Sequence, residues 1–258
     1  KIIFNSDLIN IEEYEKLKIS FSDNTKEEFD YIVAADGVYS RTKEILFKKE
    51  GTPKYFNSIA LRGNIQNFEN SDISLYLGSN FHFVIYPINQ NNEFNFISIV
   101  RKKLVGSEIT NRSLFKDKIF INNLMSQISS KSDLNLSELV NEIKCFPIFV
   151  SKKIKIPNNK NIFLMGDAFF SFPPSFAQGA SQSIESANDL FNDLNNNLSN
   201  YYKKRVLKTK QINSRSSINH HAFHIANPIN VFFRNIFLKY LSKNKSFLEN
   251  YLGKIYKN

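Results

Sequence analysis

Two short segments set a carboxylate beside a glycine at the end of an apolar run. The first is Ala34-Ala-Asp-Gly-Val-Tyr-Ser40, followed by Arg41. The second is Met165-Gly-Asp-Ala168, followed by Pro174 and by Ala177-Gln-Gly-Ala180. A carboxylate at a strand-to-turn junction can hold a sugar hydroxyl, which makes Asp36 and Asp167 candidates, with Gly37 and Gly166 giving the backbone room to turn. A helix opened by Gln178, Gly179 and Ala180 presents orphan N–H groups and partial positive charge to an anionic ligand. His82 and Tyr86 stand four apart in an apolar run, so on a strand they share a face. His220 and His224 have the i, i+4 spacing of a metal-binding pair. The sequence supplies no third ligand, so a packing or solvated role is expected for them and no metal site.

The elements that must position these residues follow from periodicity. Residues 2–4 and 17–22 read as short strands, and 29–35 as a buried strand running into Asp36-Gly37. A helical segment at 40–48 completes an α/β unit. Four β-rich segments, 58–64, 73–77, 81–86 and 94–101, are separated by Asn/Gly/Ser turns and suggest a mixed or antiparallel sheet. Amphipathic helices are expected at 113–130 and, after Ser132-Asp133, at 134–143. Strands follow at 145–150 and 161–165. From Gly179 to Leu194 the apolar stripe Ala180, Ile184, Ala187, Leu190, Phe191 and Leu194 is expected to face the core. Residues 198–258 read as two or three helices broken near Pro228, with Val231–Tyr240 a packed C-terminal helix. The fold class is therefore α/β with a mixed α+β character.

Composition narrows the class. The 258 residues are 42% apolar and 22% charged, the balance of a globular protein of one large domain or two intimate ones. No apolar run approaches the ~18 residues of a membrane helix, and the start does not resemble a signal peptide. The single Cys145 excludes an internal disulfide framework, reads as a small core residue, and fits a reducing cytoplasm. From Tyr201 onward 12 Lys/Arg face one acid, Glu249, whereas the first 200 residues hold 22 basic and 23 acidic residues. A basic tail of this kind can meet an anionic lipid surface, while no nucleic-acid partner is expected; the plainer reading is a solvated helical face. The chain begins at Lys1 with methionines only at 125 and 165, so an upstream segment is expected.

Taken together, the two turn segments resemble the signature of the FAD-dependent aromatic hydroxylases, the p-hydroxybenzoate hydroxylase-type flavoprotein monooxygenases. Residues 30–47 resemble that family's strand and Ala-Asp-Gly-x-x-Ser-x-x-(Arg/Lys) element, and 166–189 its Gly-Asp-Ala element with downstream Pro174 and Gln-Gly helix. Leu61-Arg-Gly63, Tyr76-Leu-Gly78, 82–87 and 95–101 resemble substrate-lobe strands of the salicylate-hydroxylase-like branch. The resemblance implies a later part of an FAD-binding lobe at 1–56, a substrate sheet at 57–150, the FAD lobe's Gly-Asp motif at 151–198 and basic helices at 199–258. It implies that Asp167 and Gly166 lie against the ribityl chain of FAD, and Asp36 and Gly37 near the pyrophosphate. Gln178, Gly179 and Ala180 would hold negative charge on reduced flavin. His82 and Tyr86 would be catalytic, orienting or deprotonating a phenol, with NAD(P)H as reductant and O2 as oxygen source in the hydroxylation of a small aromatic substrate. A homodimer and peripheral contact of the basic C-terminal helices with membrane are open on this reading.

Some positions depart from the family pattern. Phe170 stands where the family has His, Ser181, Ser183 and Ser186 stand for Asn, Ala and Asp, and Lys43 stands for Arg. The glycines, at 37, 51, 63, 78, 106, 166, 179 and 253, include no Gly-x-Gly pair, so the dinucleotide fingerprint that opens the family's chains is not in this sequence. The expectation is a monooxygenase lacking its first portion. Two alternatives stay open: a non-catalytic remnant or binding module of the same fold with an anion-binding tail, and a related flavin-dependent reductase, epoxidase or halogenase.

Overall fold

The computed structural model of the chain describes residues 1–66, 68, 72–88, 92–132, 134–194, 196, 198–251 and 253–255. In chain order the first elements are β1 (Leu8–Glu13), β2 (Leu17–Phe21), β3 (Lys26–Phe29), β4 (Ile32–Ala34), α1 (Arg41–Phe47), β5 (Lys54–Gln66), β6 (Ser74–Gly78), β7 (Phe81–Pro87) and β8 (Glu93–Arg101). They are followed by α2 (Lys118–Ser129), α3 (Leu136–Leu139), β9 (Val140–Val150), β10 (Ile162–Leu164), α4 (Gly166–Phe169), α5 (Gly179–Leu194), α6 (Ser199–Phe223), α7 (Pro228–Leu241) and α8 (Lys245–Tyr251). These residues fall into two units, Lys1–Lys54 with Phe149–Ser217, and Tyr55–Ile148 with Ile218–Asn258.

In the first unit β1, β2 and β3 form an antiparallel meander, and β4 pairs with β10 in parallel. Leu17 and Ile19 of β2 pack on Ile32 and Ile162, so the meander closes over the parallel pair. The single buried strand expected at 29–35 is instead two. Phe29 ends the meander opposite Leu17, while Ile32 pairs with Ile162, and the chain turns at Asp30-Tyr31 between the two partners. Residues 2–4 are exposed and outside any strand.

Of its expected apolar stripe, helix α5 buries Leu190 and turns the other five residues outward. Its buried residues are Gln182, Ser186, Leu190 and Asp193, and Ile184 and Phe191 of the expected core stripe are 73% and 65% exposed. The reason lies in α6. Arg205, 2% exposed, donates to Glu185 Oε1 at 3.2 Å, to Asp189 Oδ2 at 3.0 Å and to Gln182 Oε1 at 2.8 Å. A buried guanidinium requires carboxylates around it, and that requirement outweighs the turning-in of Ile184 and Phe191.

In the second unit five strands take the order β6-β7-β8-β5-β9, with antiparallel pairing at β6–β7, β7–β8 and β8–β5. Strict alternation in β7 sends Phe81, Phe83 and Ile85 to one face, where they pack with Phe94 and Phe96 and with Ile121, Leu124, Met125 and Ile128 of α2. Asp117 caps α2 by accepting from the Ile119 N–H at 2.9 Å. The helix expected at 134–143 shrinks to α3, and the chain enters β9 at Val140. Its apolar spacing fits either period, and β-branched Val140 and Ile143 beside the edge of β5 favour the strand. A Cβ on Gly63 would strike the Val140 side chain and the Asn141 carbonyl, so only glycine admits this approach. The expected helix start at Asp133 lies outside the described residues. Cys145 lies in this core, its thiol pushed up to about 12 by burial.

Candidate functional site

The parallel register of β4 and β10 brings the two turn segments out at one end of the pair. Ala34 lies opposite Leu164, and the Met165 N–H donates to the Ala34 carbonyl at 2.9 Å, so Asp36 and Asp167 follow from adjacent strand ends. Asp36 Oδ2 accepts from both the N–H and the hydroxyl of Thr42 at 3.0 Å, holding the turn onto the start of α1. Ser40 caps that helix by accepting from the Lys43 N–H at 2.9 Å. Gly37 has φ +77°, a conformation glycine adopts freely, and no atom lies within 4 Å of where a Cβ would stand.

Lys43 links the two turns, a connection the sequence displayed only as a Lys in an Arg position. Its Nζ is buried and donates to the Phe169 carbonyl and to Ser151 Oγ, both at 3.1 Å. Burial lowers its pKa to about 8 against the opposing attraction of Asp167 and Asp36. Burial likewise raises the Asp167 carboxyl above the usual range, with Lys43 pulling it the other way. Both shifts run toward the neutral forms, so dehydration outweighs the mutual attraction at this corner.

Gly166 has φ +52°, and a Cβ there would lie 2.5 Å from Ser183 Oγ; its N–H donates to Ser186 Oγ at 3.1 Å. The glycine is therefore required for the approach of α5 to the turn. Ser183 and Ser186, two of the departures from the family pattern, are the residues that meet it. Phe170, another departure, is buried with Leu164 and Phe169 and is part of the core. The Ala177 backbone is left-handed, φ +51°, a conformation that costs energy in a residue with a Cβ. Directly after it α5 begins, with Gly179 and Ala180 exposed and nothing within 4 Å of a Gly179 Cβ. Pro174 is exposed in the loop before it, and the Gln178 carbonyl accepts from the Gln182 N–H at 2.9 Å.

In the second unit His82 and Tyr86 lie on the face of β7 opposite Phe81, Phe83 and Ile85. Tyr86 is half-buried and accepts a hydrogen bond from Asn95 Nδ2 of β8. His82 is buried, its ring edge-on to Phe223 at 5.2 Å, and it belongs to a line of three imidazoles. His224 Nε2 lies 3.2 Å from the Ile99 carbonyl, which can only accept, so this nitrogen carries the proton and is also shared with His82 Nδ1 at 2.9 Å. His224 Nδ1 is then bare and accepts from His220 Nε2 at 3.1 Å. The packing role expected for His220 and His224 takes this specific form, with His82 as the partner no local pattern revealed. The three rings form a chain joined through four nitrogens.

Burial, the first cause in each case, holds all three imidazoles well below the ordinary histidine range, with neighbouring imidazoles adding to it. The unfolded chain takes up protons below about pH 6.5 and the folded unit does not, so stability is full above that pH and is lost as pH falls. Each imidazole removes up to about 1.4 kcal/mol per pH unit in that range. Urea midpoints should therefore fall steeply from pH 7 to pH 5, and less steeply in His224→Leu. A flat wild-type profile would contradict the neutral chain.

Comparisons with known proteins show the family and the fold. A family model described as FAD binding domain matches residues 15–220. The chain belongs to this FAD-binding family, among whose members the aromatic hydroxylase resemblance places it. It is 24% identical over 194 residues to 6-hydroxynicotinate 3-monooxygenase of Bordetella bronchiseptica, covering 71% of this chain and 49% of that one. It is 23% identical over 223 residues to a 3-amino-4-hydroxybenzoate 2-monooxygenase of Streptomyces platensis, covering 80% and 54%. The chain thus spans about half the length of these curated relatives. Among solved structures, Klebsiella pneumoniae HpxO complexed with FAD and uric acid superposes with TM-score 0.76 at 15% identity, covering 97% of this chain and 66% of that one. A salicylate hydroxylase substrate complex gives 0.73 at 15%, covering 92% and 66%. These likenesses establish the mixed α/β fold.

Proposed function

We propose that the chain carries the cofactor turns and the substrate sheet of an FAD-dependent monooxygenase that hydroxylates a small aromatic compound with NAD(P)H and O2. The observation that carries this reading is the exit of Asp36 and Asp167 from adjacent parallel strands, with Lys43 between them. Open space over Gly37 and Gly179 fits a dinucleotide, because a Cβ at either position would intrude on a ligand lying against the backbone. FAD, when bound, supplies the electron transfer from NAD(P)H and the activation of O2.

On this reading Asp167 accepts hydrogen bonds from the ribityl hydroxyls, and Asp36 and Gly37 flank the pyrophosphate. The N–H groups of Gln178, Gly179 and Ala180, at the start of α5, stabilise negative charge on the isoalloxazine ring. Tyr86 and Asn95 give the substrate face a polar, hydrogen-bonding edge. His82, held neutral and occupied through Nδ1, is too weak a base to take a phenol proton, and its part is orientation. The family membership and the aromatic hydroxyl or carboxyl groups in the relatives' names support the substrate class. The low cysteine count supports a cytoplasmic setting.

The test is oxidation of NADH and NADPH by the FAD-loaded native protein, with and without a panel of phenols and aromatic acids. Stimulated oxidation with 18O2-derived oxygen in a hydroxylated product is expected from at least one of them. FAD retention without any stimulated oxidation would leave the cofactor assignment standing and overturn the hydroxylase one. Absence of FAD binding would favour the non-catalytic binding module.

A further inference from the structure

Helix α7 is fourteen residues long and none of them is buried, although the sequence reads as a packed helix. Ile229, Phe232, Phe233, Ile236, Phe237 and Tyr240 are each between 52% and 67% exposed. At 3.6 residues per turn these six fall within an arc of about 140°. Val231, Arg234, Leu238 and Leu241, which are half-buried, occupy the opposite arc, and Arg234 Nη1 donates to the Ala222 carbonyl at 3.4 Å. The side of α7 that meets its own unit is thus the less aromatic one, and the aromatic stripe points away from it.

We propose that this stripe docks α7 in the plane of an anionic lipid bilayer. Charge selects that occupant over a second copy of the chain. Residues 218–258 hold six Lys/Arg and one acid, with Lys239, Lys243 and Lys245 exposed on and just beyond the helix. Two copies meeting through this face would bring like charges together, whereas anionic headgroups attract them. Exposed Asn230, Asn235 and Lys239 flank the aromatic stripe, between it and the packed arc, and an aromatic stripe with polar and basic flanks suits a helix lying at the interface. Among the described residues no helix is long and apolar enough to cross a membrane, which agrees with a helix that lies on it.

The test is flotation of the whole protein with vesicles of phosphatidylcholine alone and with vesicles containing about one third phosphatidylserine. Co-flotation is expected with the phosphatidylserine vesicles and is expected to weaken as salt rises. The double substitution Phe233→Asp, Phe237→Asp should reduce binding at least tenfold while leaving the melting temperature unchanged, because both rings are exposed. Lys239→Gln with Lys243→Gln should weaken only the phosphatidylserine binding. The proposal is overturned if wild-type protein floats with neither vesicle, or if the Phe double variant floats as well as wild type. A dimer in vesicle-free buffer that the Phe substitutions dissociate would assign the stripe to a second copy and overturn it equally.

Discussion

Arg205→Leu should lower the stability of the first unit by about 3–5 kcal/mol, the range for breaking a buried charge network by removing one partner. The guanidinium is nearly inaccessible and contacts Glu185, Asp189 and Gln182, all on the side of α5 turned inward. Leucine would leave two carboxylates in a half-buried site with Lys208 as their nearest remaining cation, 3.1 Å from Glu185. A melting temperature lower by on the order of 10 °C is expected for a unit of this size. Because α5 would then gain by turning Ile184 and Phe191 inward, the Gln178–Ala180 start of the helix should move with it. FAD affinity should fall together with stability. A variant as stable as wild type would show that the α5–α6 network does not decide the orientation of the helix.

Asp167→Ala should separate binding from folding. Asp167 is half-buried, its carboxyl already raised by dehydration, so its loss removes a group the fold does not favour in charged form. Hydrogen bonds from ligand hydroxyls to a carboxylate are worth about 1.5–3 kcal/mol, and FAD affinity should fall roughly 10- to 100-fold. The melting temperature should change little. Asp167→Asn, which still accepts a hydrogen bond, should retain part of the affinity. Flavin fluorescence titration reads the outcome, and unchanged affinity in Asp167→Ala would remove this residue from the cofactor site.

Much of the scaffold was legible locally. The alternation of Phe81, Phe83 and Ile85 against His82 and Tyr86 was visible as a period of two, and the structure keeps both faces as read. The two Asp-Gly and Gly-Asp turns were visible because glycine and a carboxylate after an apolar run are chemically distinctive. What was illegible depended on partners distant in sequence. The face of α5 is decided by Arg205, a full helix further on, and an apolar stripe carries no information about such a charge. The strand expected at 145–150 is present, but its earlier start at Val140, in a stretch read as helix, is decided by an edge of β5. His82 and His224 are 142 residues apart, and only the fold makes one hydrogen-bonded chain of them with His220. The exposure of α7 was hidden for the opposite reason, since an amphipathic pattern looks the same whether a core or a lipid surface receives it.

The most direct measurement is the visible spectrum of the protein purified from its native source, recorded before and after addition of NADH or NADPH. A yellow protein that the reduced nicotinamide bleaches is the expected result, with the colour diminished in Asp167→Ala. A colourless protein that gains no flavin spectrum on incubation with FAD and gel filtration would contradict the assignment of the Asp36 and Asp167 turns to the cofactor.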